Sequence, residues 1–307
     1  MSRVDESFPA MGGVARVMLA APGRSEAELA GHSRAIRALL ADVEQTLTRF
    51  DPASPLSRFN RGEDAPGQPA PVHLRRLALA ARWAGEQSDG LVDATRLGPL
   101  REASAPRADL AEALAAAPAR RPARAHPDRA YAALRVTPGG AVLRAPDAGL
   151  DGGGLAKGLA ADLAAGLLPA DVRGVVAVCG DLAVHGGDQE VLVAPAFPGA
   201  TPTRLTVRPG GVATSSIHAR LWRREDGAYA HHLLDPATGE PAWTGLVAVT
   251  ACAGSALEAE VLAKQALLSG PARARRLLRR RGGVLQHEDG RLEHLAPAPV
   301  VRLKVAA

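Results

Sequence analysis

The chain has 307 residues, of which 47% are hydrophobic and 22% charged, so it can bury a sizeable core and is not disordered as a whole. The net charge is +5, and only three of its 37 basic residues are lysine, namely Lys157, Lys264 and Lys304. The sequence contains no long apolar run, no leader pattern and no metal-type cysteine spacing. These absences favour a reduced, cytoplasmic, globular protein that does not insert into a membrane.

Hydrophobic periodicity predicts the elements of the first half in chain order. A strand over residues 14–20 is followed by a helix over 25–48, in which Ser25 is the N-cap and Glu28 completes a capping box. Residues 49–60 are expected to form a loop, and residues 72–88 a second helix. Residues 118–129, rich in Pro and Arg, predict a surface linker, and residues 134–145 predict a hairpin.

In the second half, the pattern predicts a glycine-rich turn that leads into a helix at 151–168, followed by strands within 175–186, 190–196, 203–216 and 245–253. A helix that ends at Gly270, a short basic helix and a hairpin at 284–295 complete the chain. Strands and helices alternate without regular βαβ spacing, which favours the α+β class. Because the sequence shows no internal repeat and no clear linker between halves, we expect one domain over residues 1–307.

Three short segments carry residue types suited to chemistry. The turn at Asp151–Gly158 combines three glycines with Lys157, which suits phosphate binding but is also compatible with a plain strand-to-helix turn. His232 stands three residues before Asp235, so it is either a general base or a turn residue. Glu260 and Lys264 are one helical turn apart on a largely apolar helix, either as a surface ion pair or facing a site.

Two other classes are disfavoured. The basic segment at 271–281 has no interleaved aromatic residues, so we expect an amphipathic helix and no nucleic-acid binding. The histidines and acidic residues show no zinc-type spacing.

Taken in chain order, these segments resemble the ApbE-type FAD:protein FMN transferases. The resemblance rests on Met11-Gly-Gly, Ser54-Pro-Leu-Ser-Arg-Phe-Asn60, Asp93-Ala-Thr-Arg-Leu-Gly-Pro-Leu100, Asp151 to Asp162, Cys179-Gly-Asp181, Ala213-Thr-Ser-Ser216 and His231 to Pro241. It covers nearly the whole chain and implies ApbE-like (T-fold-like) mixed sheets with packed helices, with a flavin site between sub-domains.

The resemblance implies cleavage of the FAD pyrophosphate and transfer of FMN to a Ser or Thr hydroxyl of an acceptor protein, with release of AMP. By this resemblance His232 is the base and the turn containing Gly153, Gly154, Lys157 and Gly158 holds the phosphates. Mg²⁺ is then held by the Ala156 carbonyl and Glu260. The residues that line the flavin nucleotide are Met11, Asn60, Asp93, Asp181, Thr214 and Ser215.

The chain departs from the family pattern at several positions. Lys264 stands where the family has a threonine metal ligand, and an ammonium has no lone pair with which to ligate a metal. We therefore expect Lys264, paired with Glu260, to take part of the cation's role. Gly13 replaces a threonine, Cys179 a glycine, and Ser216 a glycine.

Two other functions are compatible with the same residues. In an FAD pyrophosphatase, water would replace the acceptor hydroxyl at the same site. In a non-catalytic flavin-binding or carrier protein, the altered metal pair would leave binding without chemistry. The sequence specifies neither the acceptor protein nor the oligomeric state.

Overall fold

The computed structural model describes residues 1–65, 67–97 and 107–296. The last three residues of the Asp93–Leu100 motif, and Lys304, lie outside the described residues. The helices are α1 (Glu26–Leu47), α2 (Pro55–Arg61), α3 (Val72–Gln87), α4 (Leu110–Ala116), α5 (Ala156–Ala165) and α6 (Ala256–Leu278). The strands are β1 (Ser2–Ala10), β2 (Gly13–Ala21), β3 (Arg135–Val136), β4 (Val142–Leu143), β5 (Arg173–Val178), β6 (Asp181–His185), β7 (Gln189–Val193), β8 (Thr203–Val207), β9 (Gly210–Ser216), β10 (Leu221–Arg223), β11 (Tyr229–His231), β12 (Leu246–Ala253), β13 (Gly283–His287) and β14 (Leu292–Leu295).

One eight-stranded sheet organises the molecule, in the order β1-β2-β5-β6-β9-β12-β13-β14. Three helices pack on it: α1 on β1 and β2, α5 on β5 and β6, and α6 on β9 and β12. The β7–β8 hairpin contributes Val193, Leu205 and Val207 to a second apolar cluster with Val175 and Val184 of the large sheet. The α+β class is therefore confirmed. Over the described residues every pairing in this sheet is antiparallel, so its strand directions are not mixed.

The local sequence signals explain the main helix boundaries. Ser25 and Glu28 form the predicted capping box at the start of α1. Helix α6 consists of two helical segments that are separated by a break at Gly270. This residue adopts φ 74° before Pro271, so the predicted helix end there is confirmed. The linker predicted over 118–129 is irregular, but it is tied down because the Ala123 amide donates to the Leu268 carbonyl.

Several elements were missed by periodicity. The edge strand β1 has an irregular polar pattern, and the segment 49–60, predicted as a loop, contains helix α2 with Ser54 as its N-cap. The short elements α4, β10 and β11 carry too few residues for a clear period. In the described part of the chain no helix combines the length and apolarity needed to cross a bilayer. The cytoplasmic location stays a prediction.

The helices α5 and α6 approach each other closely, and this contact positions the candidate site. A Cβ at Gly158 would lie 2.7 Å from the Ala256 carbonyl oxygen, so glycine is needed for this approach. The Asp162 carboxylate of α5 accepts hydrogen bonds from the amides of Ala256 (2.7 Å) and Leu257 (2.9 Å) in the first turn of α6. A carboxylate at a helix N-terminus satisfies otherwise unpaired amides and interacts favourably with the helix dipole.

We predict that Asp162→Ala lowers the free energy of unfolding by about 1–3 kcal/mol, because it leaves two partly buried amides without acceptors. Asp162→Asn, which keeps one carbonyl acceptor, should lose less. Urea denaturation followed by circular dichroism measures both variants. Equal stability of Asp162→Ala and the parent chain would contradict this role.

Candidate active site

Four charged side chains meet where α5, α6 and β6 converge. Lys157 comes from the first turn of α5, Asp181 from the start of β6, and Glu260 and Lys264 from successive turns of α6. We call these four residues the charge cluster. It unites three segments that lie between residues 157 and 264 of the sequence.

Lys157 is at the centre of the charge cluster. Its Nζ lies 2.7 Å from Asp181 Oδ2 and 3.4 Å from Glu260 Oε1. Both carboxylates are almost fully buried, with Asp181 1% and Glu260 2% exposed. Burial alone would lower the pKa of the Lys157 ammonium, but the charges of Glu260 and Asp181 outweigh burial and raise it. Lys157 is therefore a permanent cation that compensates two buried carboxylates.

Lys264 adds a second ammonium beside the glycine-rich turn. Its Nζ donates to the Gly154 carbonyl oxygen at 2.8 Å. A Cβ at Gly154 would overlap Lys264 Nζ, so glycine is needed at this position to admit the ammonium. Burial lowers the pKa of Lys264, and the charge of Glu260 partly offsets this effect.

The glycine-rich turn is held by carboxylates from two directions. The Gly153 amide donates to Asp151 Oδ1 (2.9 Å), and the Gly158 amide donates to Glu260 Oε2 (2.9 Å). Asp151 Oδ2 in turn accepts from Arg49 Nη1 at 2.8 Å. The amides of Gly153 and Gly158, which the sequence analysis assigns to phosphate, are thus engaged within the protein. Arg49 is a site residue that sequence reasoning missed, since nothing in its spacing pointed to Asp151.

Asn60 and Asp93 form hydrogen bonds close to the segment that leads into this turn. The Asn60 side chain forms two hydrogen bonds with the backbone of Leu150, donating to its carbonyl at 2.9 Å and accepting from its amide at 2.8 Å. Asp93 Oδ1 accepts from both the amide and the hydroxyl of Thr95. Both were predicted to line the flavin nucleotide. The Asn60 bonds position the chain that leads into Asp151, and the Asp151 amide donates to the Ala94 carbonyl, next to Asp93, at 2.8 Å.

Met11 lies in the β1–β2 turn, and this turn meets the β5–β6 turn at Cys179. The Cys179 thiol donates to the carbonyl of Ala10 at 3.3 Å, and its Sγ lies 3.7 Å from the Met11 carbonyl oxygen. A Cβ at Gly13 would come within 2.8 Å of Cys179 Sγ. The two departures from the family pattern are therefore complementary, because the Cys179 side chain uses the space that Gly13 leaves.

Thr214 and Ser215 end β9 beside the central strand β12. The Thr214 hydroxyl is 2.8 Å from the hydroxyl of Thr250, its register partner on β12. Thr214 is exposed and Ser215 is buried, as alternation along a strand requires. Only Thr214 presents its side chain to solvent.

His232 follows directly after β11. The residue is exposed to solvent. Burial of the remainder of its ring, and then the positive charges of Lys264 and Arg220, lower the pKa of His232. The ring is therefore neutral near pH 7, and Lys264 is the member of the charge cluster whose charge acts on it.

The neighbours of His232 fix the turn that carries it. His231 is fully buried against Trp243, with ring centroids 4.7 Å apart in an edge-to-face arrangement. The Leu233 amide donates to His231 Nδ1 at 3.3 Å, so this bond spans His232. Asp235 Oδ1 accepts from the amides of Arg124 and Ala237. Asp235 therefore stabilises the turn that follows His232.

The donors expected for Mg²⁺ do not suit that ion. Glu260 Oε1 is buried without a hydrogen-bond partner, which by itself would suit a cation. However, Lys157 is already 3.4 Å from this oxygen, and Lys264 occupies the remaining family ligand position without a lone pair. Among the residues that the structure describes, no three His, Cys, Asp or Glu side chains converge as a metal site. The residues present, including Ala156, therefore do not make up a magnesium ligand set.

A separate cavity of about 410 Å³ lies between the segment 118–121 and residues 224–243. Its lining includes Arg121, Tyr229, Asp235 and Trp243, and none of the charge cluster. It is therefore distinct from the candidate active site.

We predict that His231 makes stability depend on pH. Burial lowers its pKa to about 3 in the folded chain, against 6.5 for an unperturbed histidine. Because the folded pKa is the lower one, the stabilisation is complete above pH 6.5 and is lost as pH falls towards 3, by about 1.4 kcal/mol per pH unit.

The matched variant is His231→Asn, which keeps an acceptor near the Leu233 amide but cannot titrate. Urea denaturation of both proteins between pH 4 and pH 8 gives the difference in unfolding free energy. This difference should be constant above pH 7 and should shift in favour of the variant below pH 6. A difference independent of pH would show that His231 is not held neutral.

Sequence comparison connects this geometry to known proteins. The pattern of the ApbE family matches residues 11–286. The FAD:protein FMN transferase of Escherichia coli K12 is 26% identical over 283 residues, which cover 85% of this chain and 77% of that protein. A protein of the same name from Treponema pallidum is 36% identical over 80 residues, or 26% of this chain.

Solved structures share the fold over nearly the full length. The ApbE protein of Thermotoga maritima superposes with a TM-score of 0.74 at 21% identity, covering 95% of this chain and 97% of that one. The apo flavinyl transferase ApbE of Pseudomonas stutzeri gives a TM-score of 0.69 at 23% identity, covering 96% and 95%. Since the matched segment runs from the β1–β2 turn to β13 and includes the charge cluster and His232, this chain belongs to the ApbE family.

Proposed function

We propose that this protein is an FAD:protein FMN transferase, which moves FMN from FAD to a Ser or Thr hydroxyl of an acceptor protein and releases AMP. Relatives from Escherichia coli and Klebsiella pneumoniae have this name, and the match to this chain covers 77% of their length. The observation that carries the proposal is the pair of ammonium groups fixed at the glycine-rich turn, Lys157 by Asp181 and Lys264 by the Gly154 carbonyl, with the charge of Lys264 acting on the neutral ring of His232. That arrangement supplies both a proton acceptor and positive charge for phosphoryl transfer.

The reaction makes one P–O bond and breaks another. The acceptor oxygen attacks the FMN phosphorus of FAD, and the P–O bond to the AMP phosphate breaks, so AMP leaves with the bridging oxygen. The hydroxyl proton goes to the neutral His232 ring, whose site is open to solvent. Burial is the main cause of the lowered pKa of His232. The negative pyrophosphate of bound FAD opposes the smaller contribution from Lys264 and Arg220, and so raises this pKa in part.

The remaining site residues serve binding and orientation. Lys157 is fixed by Asp181 and Glu260, so its charge is preorganised and needs no rearrangement during the reaction. Asn60 holds the backbone of Leu150 and Arg49 holds the carboxylate of Asp151, so together they fix the start of the glycine-rich turn. We propose that Met11, Thr214 and Ser215 border the flavin nucleotide, Thr214 through its exposed hydroxyl.

The transferase is distinguished from a pyrophosphatase and from a flavin carrier by following both products. The purified chain is incubated with FAD and a candidate acceptor, or with the acceptor's Ser/Thr→Ala variant as the matched control. A transferase produces AMP together with a fluorescent flavin band on the denatured acceptor, and no band on the control. AMP without a band would indicate hydrolysis, and FAD binding without AMP would indicate a carrier.

We predict that His232→Asn lowers the rate of AMP release about 10²–10⁴-fold, because the acceptor hydroxyl loses its base. FAD affinity, measured by quenching of flavin fluorescence, should stay within a few-fold of the parent value. His294→Asn is the matched control, since His294 is exposed on the edge strand β14. Unchanged AMP release in His232→Asn would contradict the role of this residue.

A further inference from the structure

The position of Lys264 is defined by the glycine-rich turn. One of its three N–H donors goes to the Gly154 carbonyl oxygen at 2.8 Å, and Gly154 has no Cβ in the space that the ammonium takes. Two donors remain for other partners. The ammonium is thus fixed by backbone, and it keeps capacity to bind an anion.

The charge around Lys264 is balanced inside the protein. Lys157 and Lys264 face two carboxylates, Asp181 and Glu260, and Asp151 at the start of the turn is paired with Arg49. A divalent cation at Glu260 would stand beside two ammonium groups, so it would be repelled by both. The cluster is complete without a metal ion.

Phosphoryl transfer nevertheless needs positive charge beside the transferring group, because its oxygens carry negative charge throughout the reaction. A lysine ammonium is a compact point charge and can fill this role. Lys264 is one of only three lysines among the 37 basic residues of the chain. At this position the chain therefore has a compact ammonium and not the guanidinium that it has at most other basic positions.

We propose that the Lys264 ammonium is the resident cation of the active site and that FMN transfer by this protein requires no divalent metal. This inference rests on the proposed transferase function. It makes Lys264 a binding group for the pyrophosphate of FAD, with the Gly154 carbonyl as the group that holds its ammonium in place and the charge of Glu260 acting on it.

The test compares AMP release from FAD by the whole chain, with the candidate acceptor present, in excess EDTA and in millimolar MgCl₂. The parent protein should give rates within about twofold of each other in the two media. Lys264→Ala should lose at least about a hundredfold in EDTA, the effect of removing one preorganised charge-stabilising donor. Lys264→Thr should be equally inactive in EDTA but should recover with MgCl₂, since a hydroxyl can ligate the ion beside Glu260.

Glu258→Gln is the matched control on the same helix. Glu258 pairs with Arg281 at the protein surface, so loss of its charge should leave both rates unchanged. Thermal unfolding of every variant establishes that it is folded. Should a Lys264 variant fail to fold, the comparison of the parent protein in EDTA and MgCl₂ still decides the question.

Metal binding gives a second readout that does not depend on turnover. Mn²⁺ titrations followed by electron paramagnetic resonance should detect no site in the parent protein with FAD present, and one site in Lys264→Thr. A Mn²⁺ site in the parent protein, or AMP release that requires MgCl₂, would overturn the inference while leaving the transferase proposal intact. No AMP under any condition would instead contradict the transferase proposal itself.

Discussion

The architecture of the active site depends on the buried ion pair between Lys157 and Asp181, with Glu260 as its third member. Two buried carboxylates and no cation would be strongly unfavourable, so α5, α6 and β6 can converge here only because Lys157 is present. Loss of one partner of such a buried pair commonly costs about 3–5 kcal/mol. The same interaction that allows the helices to pack also places positive charge at the candidate site.

The helix contact and the chemistry are coupled through the backbone of α5. Asp162 holds the first turn of α6, and Gly158 both permits the close approach and donates its amide to Glu260. One turn further along α6, Lys264 reaches back to the Gly154 carbonyl. The glycine-rich turn is therefore clamped from inside the protein. Gly158 permits the helices to pack closely, and Gly154 leaves space for the Lys264 ammonium. From the sequence, the turn was instead expected to bind phosphate.

Local signals in the sequence predicted elements whose cause is also local. The capping box at Ser25 and Glu28, the break at Gly270 and the hairpin at 134–145 depend on neighbouring residues alone. The motif order led to the family and to His232. Contacts between distant segments could not be predicted: the Asn60 bonds to Leu150 span 90 residues, and Arg49 lies 102 residues from Asp151. In the sequence, Gly13 and Cys179 are two separate departures from the family pattern. That the Cys179 side chain uses the space that Gly13 leaves could not be predicted, because a single sequence does not show which residues are neighbours.

The central claim is that positive charge for phosphoryl transfer is built into this chain as lysine. A crystal structure of the protein with FAD, grown in the presence of MgCl₂, tests it most directly. Lys264 Nζ is expected within hydrogen-bond distance, about 2.7–3.2 Å, of a pyrophosphate oxygen while it still donates to the Gly154 carbonyl. A Mg²⁺ ion bound between Glu260 and the pyrophosphate, with the Lys264 side chain turned away, would contradict it.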